Sequence, residues 1–147
     1  MSPSRFDSPE ASLEYMRRVA VAQSGFSHWL DVEPIRVWQG ESELLLSLRP
    51  EMTQHHGFAH GAIVGLMADN ACAWAAASVA GDVVTGSYTI NFLRPGQGQK
   101  LRAEASVIKP GQRQVVVRGD VYAESEGADR VHVATAQATI IPTGLAR

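Results

Sequence analysis

The sequence predicts one α+β domain over residues 1–147, in which an antiparallel sheet packs around a single long apolar helix. The twenty-one residues from Gly61 to Gly81 carry only one charged side chain, that of Asp69. Strand-like segments follow this stretch without alternating helices, which argues against a parallel βαβ arrangement. A chain of 147 residues is long enough for one domain with its own core. We expect an N-terminal helical segment over residues 1–30 and the core over residues 32–142.

The residues before the long helix predict one helix and a β-hairpin. Ser8 and Pro9 supply a hydroxyl N-cap and a proline at the first helical position, and an acidic residue follows. This helix is expected to end near Ala22. Apolar segments at 35–38 and 44–48 flank a glycine-containing turn, which is typical of a hairpin.

Four strand-like segments close the chain, at residues 84–93, 101–109, 113–123 and 131–141. The first of them alternates between apolar and polar residues, as a half-buried strand does. Strict alternation places Tyr88, Ile90 and Phe92 on one face and Thr85 on the other. The three connections between these segments are short, so the sheet should be antiparallel.

Composition excludes several classes of protein. The formal net charge of −2 provides no basic surface for nucleic acid, so we expect no such partner. The chain has a single cysteine, Cys72, which excludes an intramolecular disulfide. Because Cys72 lies among the alanines of the long helix, we expect it to be a small buried hydrophobic residue. No Cys and His spacing resembles a zinc site, so no metal is expected.

The long apolar stretch also raises the question of a membrane span. It is rich in alanine and carries Asp69 and Asn70 near its middle, which favours a helix buried in a protein core. The N-terminus lacks the apolar segment of a signal peptide. We therefore expect a cytoplasmic protein that has no membrane partner.

Three motifs carry a family resemblance. They read QHHGFAHGA at residues 54–62, LMADN at 66–70 and INFLRP at 90–95. Together they resemble hotdog-fold acyl-CoA thioesterases of the PaaI-like group, over roughly Val32 to Pro142. The resemblance implies a sheet wrapped around a central helix, and homodimers or dimers of dimers with active sites at the dimer interface. It also implies an acyl-CoA substrate and no cofactor other than the coenzyme A of that substrate.

Four residues are candidates for catalysis: Asp69, Gly61, Gln54 and Thr85. A carboxylate in an apolar helix is costly unless it is paired or functional. The free N–H groups and dipole of the helix N-terminus at Gly61 favour negative charge developing on a thioester oxygen. Asp69 would then act as general base or as nucleophile. The resemblance places polar groups at Gln54, to orient the carbonyl or the water, and at Thr85, to hydrogen-bond Asp69 or the water.

The spacing of two of these residues bears on assembly. Gly61 and Asp69 are eight residues apart, so they are about 12 Å apart along one helix and differ by roughly 80° in direction. One carbonyl group cannot be served by both from the same helix. If both act on one thioester, two copies of the helix related by a two-fold axis must share the site.

The candidate substrate-binding residues are His60, Ala62, Asn70, Arg94 and Arg113. His60 begins the helix, where a structural role is favoured, and Ala62 stands where the family usually has a second glycine. Arg94 and Arg113 lie at strand ends or turns and could meet the phosphates of coenzyme A. Gln54 could instead satisfy backbone groups of its own loop, and Thr85 has a simple β propensity.

Two other functions stay open at this stage. One is a non-catalytic acyl-CoA-binding protein. The other is a hotdog hydratase or dehydratase, in which His60 and Asp69 would act as a pair. The sequence leaves open the acyl group, the choice between coenzyme A and an acyl carrier protein, and the choice between dimer and tetramer.

Overall fold

The computed structural model describes residues 5–144 of the chain. These residues form three α-helices and six strands, which are, in chain order, α1 (Pro9–Tyr15), α2 (Gly25–Trp29), β1 (Glu33–Trp38), β2 (Glu41–Ser47), α3 (Gly61–Ala80), β3 (Val83–Phe92), β4 (Lys100–Lys109), β5 (Val115–Glu124) and β6 (Val131–Pro142). The strands form one antiparallel sheet in the order β1-β2-β4-β5-β6-β3, and α3 packs on its inner face. The predicted α+β fold is confirmed.

The N-terminal helix begins as predicted and is more irregular than predicted. The hydroxyl of Ser8 accepts a hydrogen bond from the N–H of Ala11 (3.1 Å) and caps α1. A π-helical turn, Met16–Val21, continues α1. The hydroxyl of Ser24 then accepts from the N–H of Ser27 and starts α2, which the sequence analysis did not predict because five residues carry no measurable periodicity.

The predicted hairpin is present as β1 and β2. Its turn residues, Gln39 and Gly40, have φ values of 50° and 82°. Two consecutive left-handed residues are what a two-residue type I′ turn requires. Leu44 and Leu46, two positions apart in the second apolar segment, point into the core and are fully buried.

Strand β3 departs from strict alternation at a β-bulge. Thr85 pairs with Ile140 and Tyr88 pairs with Ala138. The two residues of β3 between them therefore lie opposite a single residue of β6. Gly86 lies in this bulge, and a β carbon there would lie 2.9 Å from a side-chain atom of β6. The prediction that Thr85 and Tyr88 lie on opposite faces is therefore wrong, and both face α3.

The small residues of α3 allow the sheet to approach its backbone. A β carbon added at Gly119 of β5 would lie 2.8 Å from Cys72 Sγ and 3.4 Å from the carbonyl oxygen of Ala68. Burial, with smaller effects from nearby carboxylates, raises the pKa of the Cys72 thiol to about 12. Cys72 is therefore an inert part of the core.

This close contact predicts a large stability effect. We expect Gly119→Val to lower the free energy of unfolding by about 3 kcal/mol, because the added methyl groups overlap Cys72 and force α3 away from β5. Gly25→Ala is the matched control, since a β carbon there meets no atom within 4 Å. Urea unfolding monitored by circular dichroism measures both. Equal midpoints for the two variants would contradict the packing described.

Among residues 5–144, α3 is the one helix long and apolar enough to cross a bilayer. Of its most apolar window, 56% is buried inside the protein. The sheet that wraps α3 accounts for this burial, as expected for a core helix.

Candidate active site

The carboxylate of Asp69 is held by the hydroxyl of Thr85. Thr85 Oγ1 donates to Asp69 Oδ1 over 2.6 Å. The bulge in β3 makes this contact possible, because it turns Thr85 toward α3. Within the described part of the chain, Asp69 Oδ2 has no hydrogen-bond donor, and the side chain is half-buried. One carboxylate oxygen is therefore positioned and the other is available.

The first turn of α3 leaves one backbone amide free. His60 is the N-cap, and its Nδ1 accepts from the N–H of Ala62 (3.0 Å). The carbonyl oxygen of His60 accepts from the N–H groups of Ile63 (2.9 Å) and Val64 (3.1 Å). In the part of the chain that the structure describes, the N–H of Gly61 has no acceptor. It is a free donor at the positive end of the helix dipole.

Strand β3 runs alongside this face of α3. Three residues of the helix, spaced four apart, each lie beside one residue of the strand: Gly61 beside Phe92, Gly65 beside Tyr88, and Asp69 beside Thr85. A β carbon at Gly65 would lie 3.2 Å from the Tyr88 hydroxyl. The two glycines thus leave room for aromatic side chains, between a free amide at one end and a carboxylate at the other.

Strand β3 is also an edge of the sheet and exposes apolar side chains. Val84 is 55% exposed and Phe92 is 56% exposed, and Leu93, which directly follows the strand, is 45% exposed. An unpaired edge strand with large exposed hydrophobic residues is typical of an association surface. This surface adjoins both Gly61 and Asp69.

Gln54 has a local role in the structure. Its side-chain oxygen accepts from the N–H of His56, within the same loop. The Gln54 backbone bonds to Phe58 and Gly57 as well, so the loop closes on itself before α3. This is the structural alternative that the sequence analysis left open for Gln54.

Three of the candidate binding residues bond elsewhere in the protein or lie at the far end of the helix. Asn70 Nδ2 donates to the hydroxyl of Ser27 (3.1 Å) and ties α2 to α3. Arg94 donates to the carbonyl oxygen of His132 (3.1 Å). Arg113 is exposed in the turn after β4, which lies beside the C-terminal end of α3. Of the predicted residues, the structure brings Asp69 and Thr85 together directly.

Two positions that shape the candidate site were not singled out from the sequence. Gly65 makes room for Tyr88, and Gly86 is part of the bulge that aims Thr85. A signal for the second was present, because glycine inside a strand pattern indicates a bulge or a close backbone approach.

Among the residues described, no group of three or more His, Cys, Asp or Glu side chains lies close enough together to hold a metal ion. The site itself presents a hydrogen-bonded carboxylate and a free helix amide. Both suit the addition of water to a carbonyl group.

Comparison with known proteins bears on the family and the fold of the chain. A profile of the thioesterase superfamily matches residues 56–128. A thioesterase family protein from Silicibacter pomeroyi is 30% identical, with a TM-score of 0.82, over 88% of this chain and 96% of that one. No curated protein sequence matches significantly.

Two further solved structures share the fold. The PaaI protein of the E. coli phenylacetic acid degradation operon has a TM-score of 0.82 at 22% identity, over 93% of this chain and 97% of that one. A hypothetical thioesterase from Streptococcus pneumoniae, solved with coenzyme A, has a TM-score of 0.69 at 22% identity, over 79% and 88% of the two chains. The latter protein was also solved as an Asp-to-Ala and as a Thr-to-Ala mutant.

The hotdog architecture that the sequence motifs implied is thus confirmed by the sheet wrapped around α3 and by these relatives. The chain belongs to the thioesterase superfamily, with the hotdog fold of its PaaI-like members.

Proposed function

We propose that the protein hydrolyses acyl-CoA thioesters to a free acid and a thiol, at a site formed by two copies of the chain. One observation carries the proposal: α3 presents a free Gly61 amide and a Thr85-bound Asp69 carboxylate on the face that borders the exposed edge of β3. The first group suits an oxyanion and the second suits a water molecule.

In the proposed reaction, the thioester oxygen accepts a hydrogen bond from the Gly61 N–H. Water attacks the carbonyl carbon and gives a proton to Asp69 of the other copy, through the oxygen that Thr85 does not occupy. The carbon–sulfur bond then breaks, and the proton passes from Asp69 to the leaving thiolate. Direct attack by Asp69, through an anhydride that water then opens, uses the same residues and stays an alternative.

The requirement for two copies follows from distance. Gly61 and Asp69 of one chain are about 12 Å apart along α3, further than one carbonyl group can bridge. Pairing of two β3 edges would cover Phe92 and the other exposed apolar side chains of that strand. We propose a homodimer on these grounds, and pairs of dimers are compatible with it.

The comparisons support the choice of substrate. The pneumococcal relative was solved with coenzyme A. The aspartate and threonine replaced in its two mutants are separated by as many positions as Asp69 and Thr85 are here. We take this as support for the same pair acting on a coenzyme A thioester in this chain.

Release of free thiol from a panel of short, long and aromatic acyl-CoAs tests the proposal. We expect thiol release with at least one class of acyl group. Hydration of an enoyl-CoA without thiol release would instead support a hydratase, although His60 is engaged in capping Ala62. Binding of acyl-CoA without any turnover would support a non-catalytic binding protein.

A further inference from the structure

The hydroxyl of Tyr88 lies on the face of α3 that carries the candidate site, midway between Gly61 and Asp69. It is beside Gly65, where an added β carbon would lie 3.2 Å from the hydroxyl oxygen. Gly65 is four residues from Gly61 and four from Asp69, which is about 6 Å along the helix axis in each direction. The phenol therefore occupies the surface between the free amide and the carboxylate, and no step of the proposed reaction uses it.

This hydroxyl makes no hydrogen bond to any of the residues 5–144. Tyr88 is 41% exposed, so solvent reaches its side chain in a single copy of the chain. It stands on β3, however, and the edge of β3 is the surface that the proposed dimer covers. A polar group that loses water without gaining a partner costs about 1–3 kcal/mol. Once the edge is covered, the hydroxyl needs a partner from the other copy or from a ligand.

Symmetry places Tyr88 of both copies close to the two-fold axis of the proposed dimer. If Gly61 of each copy faces Asp69 of the other, the position midway between them faces itself. That position is Gly65, and Tyr88 lies beside it. The two sites are then about 12 Å apart along the paired helices, with the two phenols between them. Two facing hydroxyls use only one of their two protons on each other, so one O–H stays available as a donor.

A thioester bound at either site has two directions in which its substituents can extend. Toward the axis lies the covered space between the two copies, and away from the axis lies the exposed N-cap residue His60. The phosphates of coenzyme A need solvent, so the coenzyme A arm takes the outer direction. The acyl group takes the inner direction and reaches the Tyr88 hydroxyls within about 6 Å along the helices.

We infer that Tyr88 is a specificity-determining residue whose hydroxyl donates a hydrogen bond to an oxygen atom of the acyl group. The inference rests on the proposed function and deepens it by naming the class of acyl group: short chains that carry a carbonyl or hydroxyl oxygen beyond the thioester. A plain hydrocarbon chain would leave the phenol without a partner in a covered site. Such a site discriminates against the ligand that lacks the hydrogen-bonding group.

A double-mutant cycle between protein and ligand measures this hydrogen bond without turnover. The ligands are the S-hexyl thioether of coenzyme A and its 4-oxo and 5-oxo derivatives, each titrated by calorimetry. We expect the wild type to bind at least one oxo derivative about tenfold more tightly than the plain thioether, which is the effect of roughly one hydrogen bond. Tyr88→Phe keeps the ring beside Gly65 and should bind the plain and oxo thioethers equally.

Tyr122→Phe is the matched control for this variant. Tyr122 lies in β5 on the outer face of the sheet, packed against the ring of His132 and the guanidinium of Arg130. The change removes the same hydroxyl group away from α3 and should keep the wild-type preference. Loss of the preference in both variants, its retention in Tyr88→Phe, or its absence from the wild type would overturn the inference.

Hydrolysis separates this inference from the proposed function. With hexanoyl-CoA and its oxo derivatives, we expect Tyr88→Phe to lower kcat/KM about tenfold for the preferred oxo substrate and to leave hexanoyl-CoA within about twofold. An equal loss on every substrate would make Tyr88 part of the general chemistry and refute its role in specificity. A wild type that discriminates between the thioethers but hydrolyses no thioester would refute the proposed function and leave the assignment of Tyr88 standing.

Discussion

Replacement of Asp69 by asparagine is expected to lower kcat for acyl-CoA hydrolysis at least about a hundredfold, within the range that general-base or nucleophilic groups supply. Asparagine keeps the shape of the side chain and an oxygen that can accept from Thr85, so the variant removes the charge and the basicity while this contact can remain. Thiol release measured at saturating substrate gives the effect. Because the carboxylate is half-buried in an intact helix, the fold and subunit association should be preserved.

Asp129→Asn provides the control for this variant, since Asp129 lies exposed in the turn before β6. It makes the same chemical change at a distant surface and should leave kcat within about twofold of wild type. Retention of full activity by Asp69→Asn would remove Asp69 from the mechanism. A matching loss in Asp129→Asn would show that the charge change acts nonspecifically.

The second large effect concerns the free amide at the start of α3. Gly61→Pro deletes that N–H, while proline is well accepted at the first position of a helix. His60 already has the extended backbone that a residue before proline requires, with φ −61° and ψ 140°. We expect kcat to fall about a hundredfold to a thousandfold, the usual effect of losing one oxyanion donor.

Gly61→Ala separates loss of the amide from the effect of added bulk. It keeps the N–H, and its β carbon would lie 3.6 Å from the Phe92 ring, an ordinary contact. We expect this variant to retain most of the wild-type kcat. If alanine and proline at position 61 lower kcat equally, the amide has no part in the reaction and steric access to the helix end explains the loss.

Much of the architecture could be predicted because it rests on patterns that local chemistry determines. The long alanine-rich stretch with flanking glycines predicted α3, and Leu44 and Leu46 predicted the buried face of β2. The five-residue helix α2 is too short to carry a periodic pattern, and the hydrogen bond from Asn70 to Ser27 ties it to α3. No sequence pattern marked the π-helical turn.

The candidate site was predicted in part for the same reason. The Asp69 and Thr85 pair came from spacing and resemblance, yet strict alternation placed Thr85 on the wrong face relative to Tyr88. The β-bulge at Gly86 places Thr85 on the same face as Tyr88, and the position of this bulge depends on how β3 pairs with β6. The engagement of Gln54 in its own loop and of Asn70 with α2 likewise needs three-dimensional contacts.

The central claim is that one reaction centre takes Gly61 from one copy of the chain and Asp69 from another. Mixed dimers of Gly61→Pro and Asp69→Asn chains, isolated with two different affinity tags, test it directly. A shared site predicts that each mixed dimer regains about half of the wild-type kcat, because one of its two sites then contains both intact residues. If the mixed dimers stay as inactive as either parent variant, Gly61 and Asp69 do not act across subunits, and the account is contradicted.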